Sequence, residues 1–423
     1  MAESELRDSA LGAPFGGVDA RSLLRLNNLL SLVSTGSWSM ATPFIPLYLA
    51  SLGAPASVVG AVLGSAGIAP LLISVHAGAV VGERGPIAVA KWSVAVMALA
   101  AAILASVHSV PAVAIAYTLI GVANIGFAVS PQAIVAAVSA PATRVRDYSY
   151  YFLWGSVGAV LGPLVGGVLA GRFGYSAVFA AVGLLMIPGF AVAAAMRGMP
   201  ADQHPAASLA TAHTAAGATL RQPGVAAILF ITFVVACGQQ LQQSFFPLYM
   251  GKVGLPAAQI GIVVAANSLS SILVRSLLSR GALRFGYVSL LLGATALAAV
   301  SLAITPLMRR FWPLMGVSAL MGVSSGFTQP LTMSLIIESV GSEFWGMAIG
   351  LRQAVQRLAQ VLSPIVFGLV ITDFGIGSGF LVGALTLGGA VPIMAGTAGQ
   401  IRGPRPGLSA PSPVAESDEP QSR

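Results

Sequence analysis

Twelve apolar stretches, each long enough to cross a bilayer, follow one another along this chain and leave room for little else. They lie near residues 23–50, 57–81, 87–108, 111–138, 148–171, 175–196, 224–250, 257–280, 287–307, 312–338, 345–371 and 376–398. Each is near or above the ~20 residues that a helix needs to span the hydrocarbon core. Backbone groups at that depth must be satisfied within the segment itself, so the stretches are expected to be helices. Composition excludes a soluble fold: 56% of the 423 residues are hydrophobic and only 8% are charged, where soluble domains carry about a quarter. The chain reads as an all-α membrane protein with twelve transmembrane helices.

The longest hydrophilic interruption contains Asp202, His204, Pro205, His213 and Arg221 and separates six stretches from six. The expected organisation is a cytoplasmic N-terminal segment 1–22, a six-helix bundle 23–196, a cytoplasmic linker 197–223, a second six-helix bundle 224–398 and a tail 399–423. The tail is rich in Pro, Ser and acids, which predicts disorder. Glu3, Glu5 and Asp8 precede the first apolar run, unlike the basic start of a secretory signal. With the N-terminus inside, only Arg172, Lys252, Arg309 and Arg310 of the 21 basic residues fall outside. That bias follows the positive-inside rule and puts both termini in the cytoplasm. The formal charge of +8 is scattered over short loops, so no nucleic-acid partner is expected.

The two sixes repeat one another. Phe44-Ile45-Pro46-Leu47-Tyr48 matches Phe245-Phe246-Pro247-Leu248-Tyr249, and Gly53, Pro55 and Gly60 match Gly254, Pro256 and Gly261, all 201 positions apart. Gly121-Val122 matches Gly322-Val323, and Pro163 with Phe173-Gly174 matches Pro364 with Phe374-Gly375, at the same offset. Stretches one, four and five therefore recur as seven, ten and eleven, which predicts two pseudo-symmetric bundles.

The fifth stretch carries the most specific pattern: Gly155, Gly158 and Gly162 at helical spacing, then Pro163, then Gly166 and Gly167. Glycines so spaced give a flat strip on which another helix backbone can lie close, and Pro163 removes a backbone donor and bends the helix. For any single glycine, plain packing is an equal reading. The whole pattern resembles the fifth-helix signature of the antiporter branch of the major facilitator superfamily. The resemblance covers nearly the whole chain. It implies two six-helix bundles, proton-coupled drug efflux, and a fifth helix that seals the pore where the halves meet. It implies a small-molecule substrate, protons as the coupling partner, and a bacterial cytoplasmic (inner) membrane protein. The working unit is expected to be a monomer.

Two departures from the family pattern stand out. The loop after helix two reads Gly78-Ala79-Val80-Val81-Gly82-Glu83-Arg84-Gly85. It keeps the first and last glycines of the superfamily's acid-and-arginine latch but displaces Glu83 and Arg84, so a tight solvated turn is as good a reading as a gate. Helix four lacks the arginine tied to proton coupling in that branch, and Tyr117 stands nearest its place. His76 reads better as a structural histidine reaching the cytoplasmic end than as a proton carrier.

Charge and polarity mark the candidate site. Arg357 lies about twelve residues into helix eleven, ~18 Å along its axis, where an unpaired guanidinium is costly and marks function by default. Arg352 and Gln356 share one face and Gln353 and Arg357 another. Arg275 in helix eight is a second buried candidate that can also snorkel to the cytoplasm. Gln239, Gln240, Gln242 and Gln243 cluster on helix seven. Helix ten offers Ser324, Ser325, Thr328 and Gln329, helix one Ser34, Thr35, Ser37 and Trp38, helix four Asn124 and Gln132, and helix eight Asn267. The resemblance implies that helices one, four, seven and ten line the pathway. Substrate-binding or coupling candidates are Arg357, Arg352, Arg275, Gln239, Gln243, Gln329, Asn124 and Trp38.

There is no phosphate-cradling loop of the Gly-x-x-x-x-Gly-Lys-Ser/Thr type and no metal-ligand spacing, so neither cofactor nor metal is expected. The single Cys237 excludes an internal disulfide. No Ser/His/Asp set suggests an enzyme. The alternative to efflux is an uptake symporter for a small metabolite, anionic ones included, since buried arginines suit a carboxylate.

Overall fold

The computed structural model describes residues 20–140, 143–196, 217, 219–222, 224–278, 284–341 and 344–397; the side chains of residues 73–83, 145, 346 and 397 are not described. The N-terminal segment up to residue 19, residues 197–216 of the linker, with His204 and His213, and the tail lie outside the described residues. So do Arg280 and the side chains of His76, Gly78 and Glu83.

Twelve helical stretches run in chain order. They are α1 (Ala20–Ala41, continued through a 3-10 turn at Thr42–Phe44 into the short helix Ile45–Ser51), α2 (Ala56–Arg84), α3 (Pro86–Ser106), α4 (Val110–Val138), α5 (Arg144–Phe173) and α6 (Tyr175–Ala195). The second set is α7 (Val225–Lys252), α8 (Ala257–Arg275), α9 (Tyr287–Ile304), α10 (Phe311–Glu338), α11 (Trp345–Phe374) and α12 (Ile376–Thr397). Nine of them are long and apolar enough to cross a membrane within the described residues. The other three are α1, α2 and α10. In α1 and α10 the apolar run is diluted by Ser, Thr, Asn and Gln, and both helices carry such groups into the interior.

The duplication read in the sequence is a duplication of structure. The tight turns Gly53, Gly85 and Gly174 all have positive φ, and so do their mates Gly254, Gly286 and Gly375, 201 positions on. A side chain is disfavoured in that backbone region, which is why glycine stands at all six. The repeated pentapeptides are buried at one end of each half, with Phe44 and Phe245 both fully covered. Within the first half α5 lies along α1; α2, α3 and α4 pack together, and α6 joins α3 and α1. Arg84 ends α2 exposed, and Gly85 makes the turn into α3.

The halves meet through two long seams, α2 against α11 and α5 against α8, and a shorter contact of α7 with the end of α1. All are found at the end of the bundle that carries the Gly53 and Gly254 turns. There Gly60 lies on the Pro364 carbonyl, and Gly261 lies on the Pro163 carbonyl. A Cβ on Gly368 would come 3.1 Å from the Gly60 Cα and 2.7 Å from the Ala56 carbonyl. A Cβ on Gly167 would come 3.1 Å from the Gly261 Cα and 2.8 Å from the Ala257 carbonyl. Each member of one seam is the 201-offset mate of a member of the other. Ser57 N–H adds a bond to Thr372 Oγ1 (2.8 Å) on the α2 side.

Candidate functional site

Between the seams the two halves stand apart around an open cavity of about 230 Å³. α1 contributes Thr35, Trp38 and Thr42. Ala159 and Pro163 of α5 face Asn267 and Ser268 of α8 across it, and α7 brings Gln242, Gln243 and Phe246. A smaller cavity of about 10 Å³, no larger than one water, adjoins it. Trp38, Thr42 and Gln243 are common to both, and Tyr117, Gln240 and Gln360 complete the smaller wall. The Trp38 and Tyr117 rings lie nearly parallel, 15° apart with centroids at 6.4 Å. Among the described residues, no acidic or basic side chain lines either cavity.

The glutamines of α7 fall into two sets. Gln239 faces α10: its Oε1 accepts from Gln329 Nε2 (2.9 Å) and its Nε2 donates to Thr328 Oγ1 (3.2 Å). Gln240, Gln242 and Gln243 turn to the cavities, and within the described residues no protein group bonds their side-chain amides. A one-residue step moves a side chain about 100° around the helix, so neighbours in sequence reach different walls.

Behind Gln239 lies a buried polar network. Arg352, 6% exposed, donates from Nη2 to the Gln329 backbone carbonyl (3.0 Å), to Gln329 Oε1 (2.9 Å) and to Thr332 Oγ1 (3.1 Å), and from Nε to Thr332 Oγ1 (3.2 Å). Gln356 Nε2 also donates to Gln329 Oε1 (2.9 Å). The expected sharing of a face by Arg352 and Gln356 thus becomes a shared acceptor. No carboxylate takes part; the one ion pair among the described residues is Arg146–Asp147 at the start of α5. Thr332, absent from the sequence candidates, closes the guanidinium's ring of acceptors. A Thr three residues after Gln329 was the available signal.

The other candidates are placed as follows. Arg357 is half-buried and donates from Nη1 to Gln360 Oε1 (2.9 Å), one turn along α11; Gln353, the residue expected to serve it, is exposed. Arg275 is not buried with this group: it is the last residue of α8 and its side chain is exposed, because the helix stops there and the long side chain extends past its end. Asn124 is half-buried and lines neither cavity. Asn267 donates from Nδ2 to the Ser318 carbonyl (3.0 Å) and lines the larger cavity.

The glycines of α5 also divide. Gly155 faces Ser31, Gly158 faces the Leu32 carbonyl (2.5 Å to an added Cβ) and Gly36 N (2.8 Å), and Gly162 and Gly166 face Gly36 through Phe44. All of these partners belong to α1 and its continuation in the same half. Gly167, Gly171 and the Pro163 carbonyl meet α8 of the other half instead. Ser39 Oγ ties the two helices further by donating to the Gly158 carbonyl (3.0 Å).

Two bundles of six helices, related by an internal repeat and meeting around a central cavity, define a membrane transporter. The sequence pattern of the Major Facilitator Superfamily matches residues 28–231 and 228–417, and the chain belongs to that family. Among curated proteins it is 22% identical over 370 residues to "Multidrug resistance protein MdtG" of Enterobacter lignolyticus, covering 83% of this chain and 86% of that one. It is 22% identical over 370 residues to "Uncharacterized MFS-type transporter YuxJ" of Bacillus subtilis, covering 84% and 93%. Among solved structures, the nucleoside transporter NupG superposes with a TM-score of 0.78 at 14% identity, covering 89% of this chain and 99% of that one. A bacterial homologue of the human lysosomal transporter Spinster, inward-facing and occupied, gives 0.71 at 15% identity, covering 91% and 98%. These relatives are transporters, not enzymes, and so is this chain.

Proposed function

We propose that the protein exports a small molecule across the bacterial cytoplasmic membrane by alternating access, driven by the proton gradient, and works as a monomer with both termini in the cytoplasm. The observation that carries this is the central cavity, bounded among the described residues by seams at the end with the Gly53 and Gly254 turns. With the basic residues placed inside, the seamed end faces out and the cavity communicates with the cytoplasm. That is the state in which an exporter loads. The export direction is supported by the glycine-proline pattern of α5 and by the multidrug-resistance names of the curated relatives. The linker 197–223 and the tail 399–423 are read as cytoplasmic, and the Gly78–Gly85 loop as the turn at that face.

Import is favoured by one observation, the close superposition on a nucleoside transporter. Import of an anion is not favoured, since no basic side chain among the described residues lines the cavities. The test is expression in an efflux-deficient bacterial host, screened over a compound panel with and without an uncoupler. Export predicts lower accumulation of some compounds, restored by the uncoupler. Uncoupler-insensitive protection would remove the proton from the reading, and raised accumulation would reverse its direction.

A further inference from the structure

The cavity wall itself specifies a kind of cargo, and the inference below rests on the transporter reading just given. We infer that the site takes an uncharged, flat molecule carrying both hydrogen-bond donors and acceptors, a heteroaromatic amide in chemical type.

Five features of the wall lead there. First, Gln240, Gln242 and Gln243 present side-chain amides with no protein partner among the described residues. Each offers both donor and acceptor, so they are complementary to a ligand that offers both. Second, Gln360 is set in one orientation. Arg357 Nη1 occupies its Oε1, so its amide N–H₂ is left as the donor toward the smaller cavity. Third, Trp38 lies in the wall of both cavities, with no bond to its indole N–H among the described residues and its ring nearly parallel to Tyr117. That is a face for stacking with a polar edge beside it. Fourth, neither cavity has a charged lining residue among the described residues, so an ion held there would lose its water without gaining a counter-charge from them. Fifth, the guanidiniums of Arg352 and Arg357 line neither cavity, and each makes at least one protein bond. Arg352 is bound by Gln329 and Thr332, and Arg357 by Gln360, and neither has a carboxylate partner. A cation is therefore opposed by two uncompensated positive charges, while an anion finds no free guanidinium in the wall.

The contrast between Gln239 and Gln243 makes the inference specific. Both lie on one face of α7, one turn apart, yet Gln239 is held at both ends of its amide and Gln243 at neither. Groups left unpaired around a cavity are the ones that discriminate among ligands, because a ligand that fails to match them leaves them desolvated.

Binding to the purified full-length protein in detergent tests this with three tricyclic fluorescent probes of matched size: acridone (neutral, one N–H and one carbonyl), N-methylacridinium (a fixed cation) and acridine-9-carboxylate (an anion). Fluorescence anisotropy should give acridone a dissociation constant about tenfold or more below either charged probe. Gln243→Leu should weaken acridone by about fivefold with its melting temperature unchanged, and Gln243→Glu should turn the preference toward N-methylacridinium. Equal or tighter binding of either charged probe overturns the inference, as does wild-type acridone affinity in a folded Gln243→Leu protein. Failure of the transporter reading is separate: it would show as acridone bound as expected but no compound of the export panel moved.

Discussion

Tyr151 in the first half and Arg352 in the second stand 201 positions apart on equivalent helices, and both are buried. Around Tyr151 the polar links are sparse: its backbone carbonyl accepts from Ser31 Oγ (3.2 Å), and Asn27 Nδ2 donates to the Pro131 carbonyl (3.1 Å). Asn27 Oδ1 and Ser130 Oγ are buried there without a protein partner. Around Arg352 the links form a continuous network through Gln329, Thr332, Gln356, Gln239 and Thr328. The seams show no such divergence: Gly60 on Pro364 and Gly261 on Pro163 are the same contact made twice. Backbone-to-backbone approach admits only one residue type on each side, so it keeps both copies alike. Side chains facing inward obey no such limit, and there the halves have different chemistry.

The largest expected effect comes from disturbing the contact made twice. Gly60→Val and Gly261→Val each put a branched side chain against a proline carbonyl of the opposite half. Overpacking of this kind costs about 1–3 kcal/mol or more, and it falls on the interface between halves. Flux into proteoliposomes should drop more than about tenfold in both variants, to the same extent, while each elutes as a monodisperse species. One variant retaining wild-type flux would show that the seams do not share the work. Gly158→Leu should behave differently. Its neighbours are Leu32 and Gly36 of the same half, so the melting temperature should fall along with transport. An unchanged melting temperature would place that contact outside the packing of the bundle.

The next effect separates the two interiors. Arg352→Met removes the donor shared by Gln329 and Thr332. Hydrogen bonds to a charged group are worth about 1.5–3 kcal/mol each, but the buried charge also carries a desolvation cost. The net loss of stability should therefore be on the order of 1–3 kcal/mol, read as a lower melting temperature. Tyr151→Phe, at the equivalent place, should change it much less. Equal shifts in the two variants would mean that the network adds nothing to the second half beyond packing.

Much of this architecture was legible in the chain. The helices end within a few residues of the apolar runs, because the ends are fixed by turn glycines and prolines that the sequence displays. The repeat was visible for the same reason: Gly60 and Gly261 lie too close to the carbonyls of Pro364 and Pro163 to carry a side chain, so glycine stands in register at both. The site was legible in residue type and not in partner. Helical periodicity puts Gln239 and Gln243 on one face of α7, but which meets α10 and which meets the cavity depends on how far α10 lies along that face. Depth along one helix singled out Arg357, yet Arg352 is the guanidinium more completely enclosed. Enclosure depends on α10 lying across it, a contact about twenty residues away in sequence that periodicity within α11 does not contain. The pattern on α5 read as a seal between halves, and most of its glycines seat α1 instead. Spacing gives the shared face and says nothing of the neighbour.

The smallest expected effect concerns Arg357, which belongs to neither the seam nor the network. Its guanidinium has one protein bond, to Gln360 Oε1 (2.9 Å), and stands one residue behind the cavity wall. Arg357→Lys keeps a charge and a donor within reach of Gln360 but loses the planar fork. Arg357→Gln loses the charge and leaves Gln360 free to turn. If Arg357 acts by holding that amide, Lys should leave the apparent Michaelis constant for an exported compound nearly unchanged. Gln should raise it about two- to threefold, the loss of roughly one hydrogen bond of modest strength, with maximal rate intact. If the guanidinium instead meets an acid on the substrate, both variants should raise the constant and Gln far more than Lys. If it carries the coupling step, binding should stay intact in Arg357→Gln while export loses its sensitivity to the uncoupler. Direct binding measured beside gradient-driven flux distinguishes these outcomes. Unchanged binding, flux and expression in Arg357→Gln would remove the residue from the site altogether, leaving the free glutamines of α7 to define it.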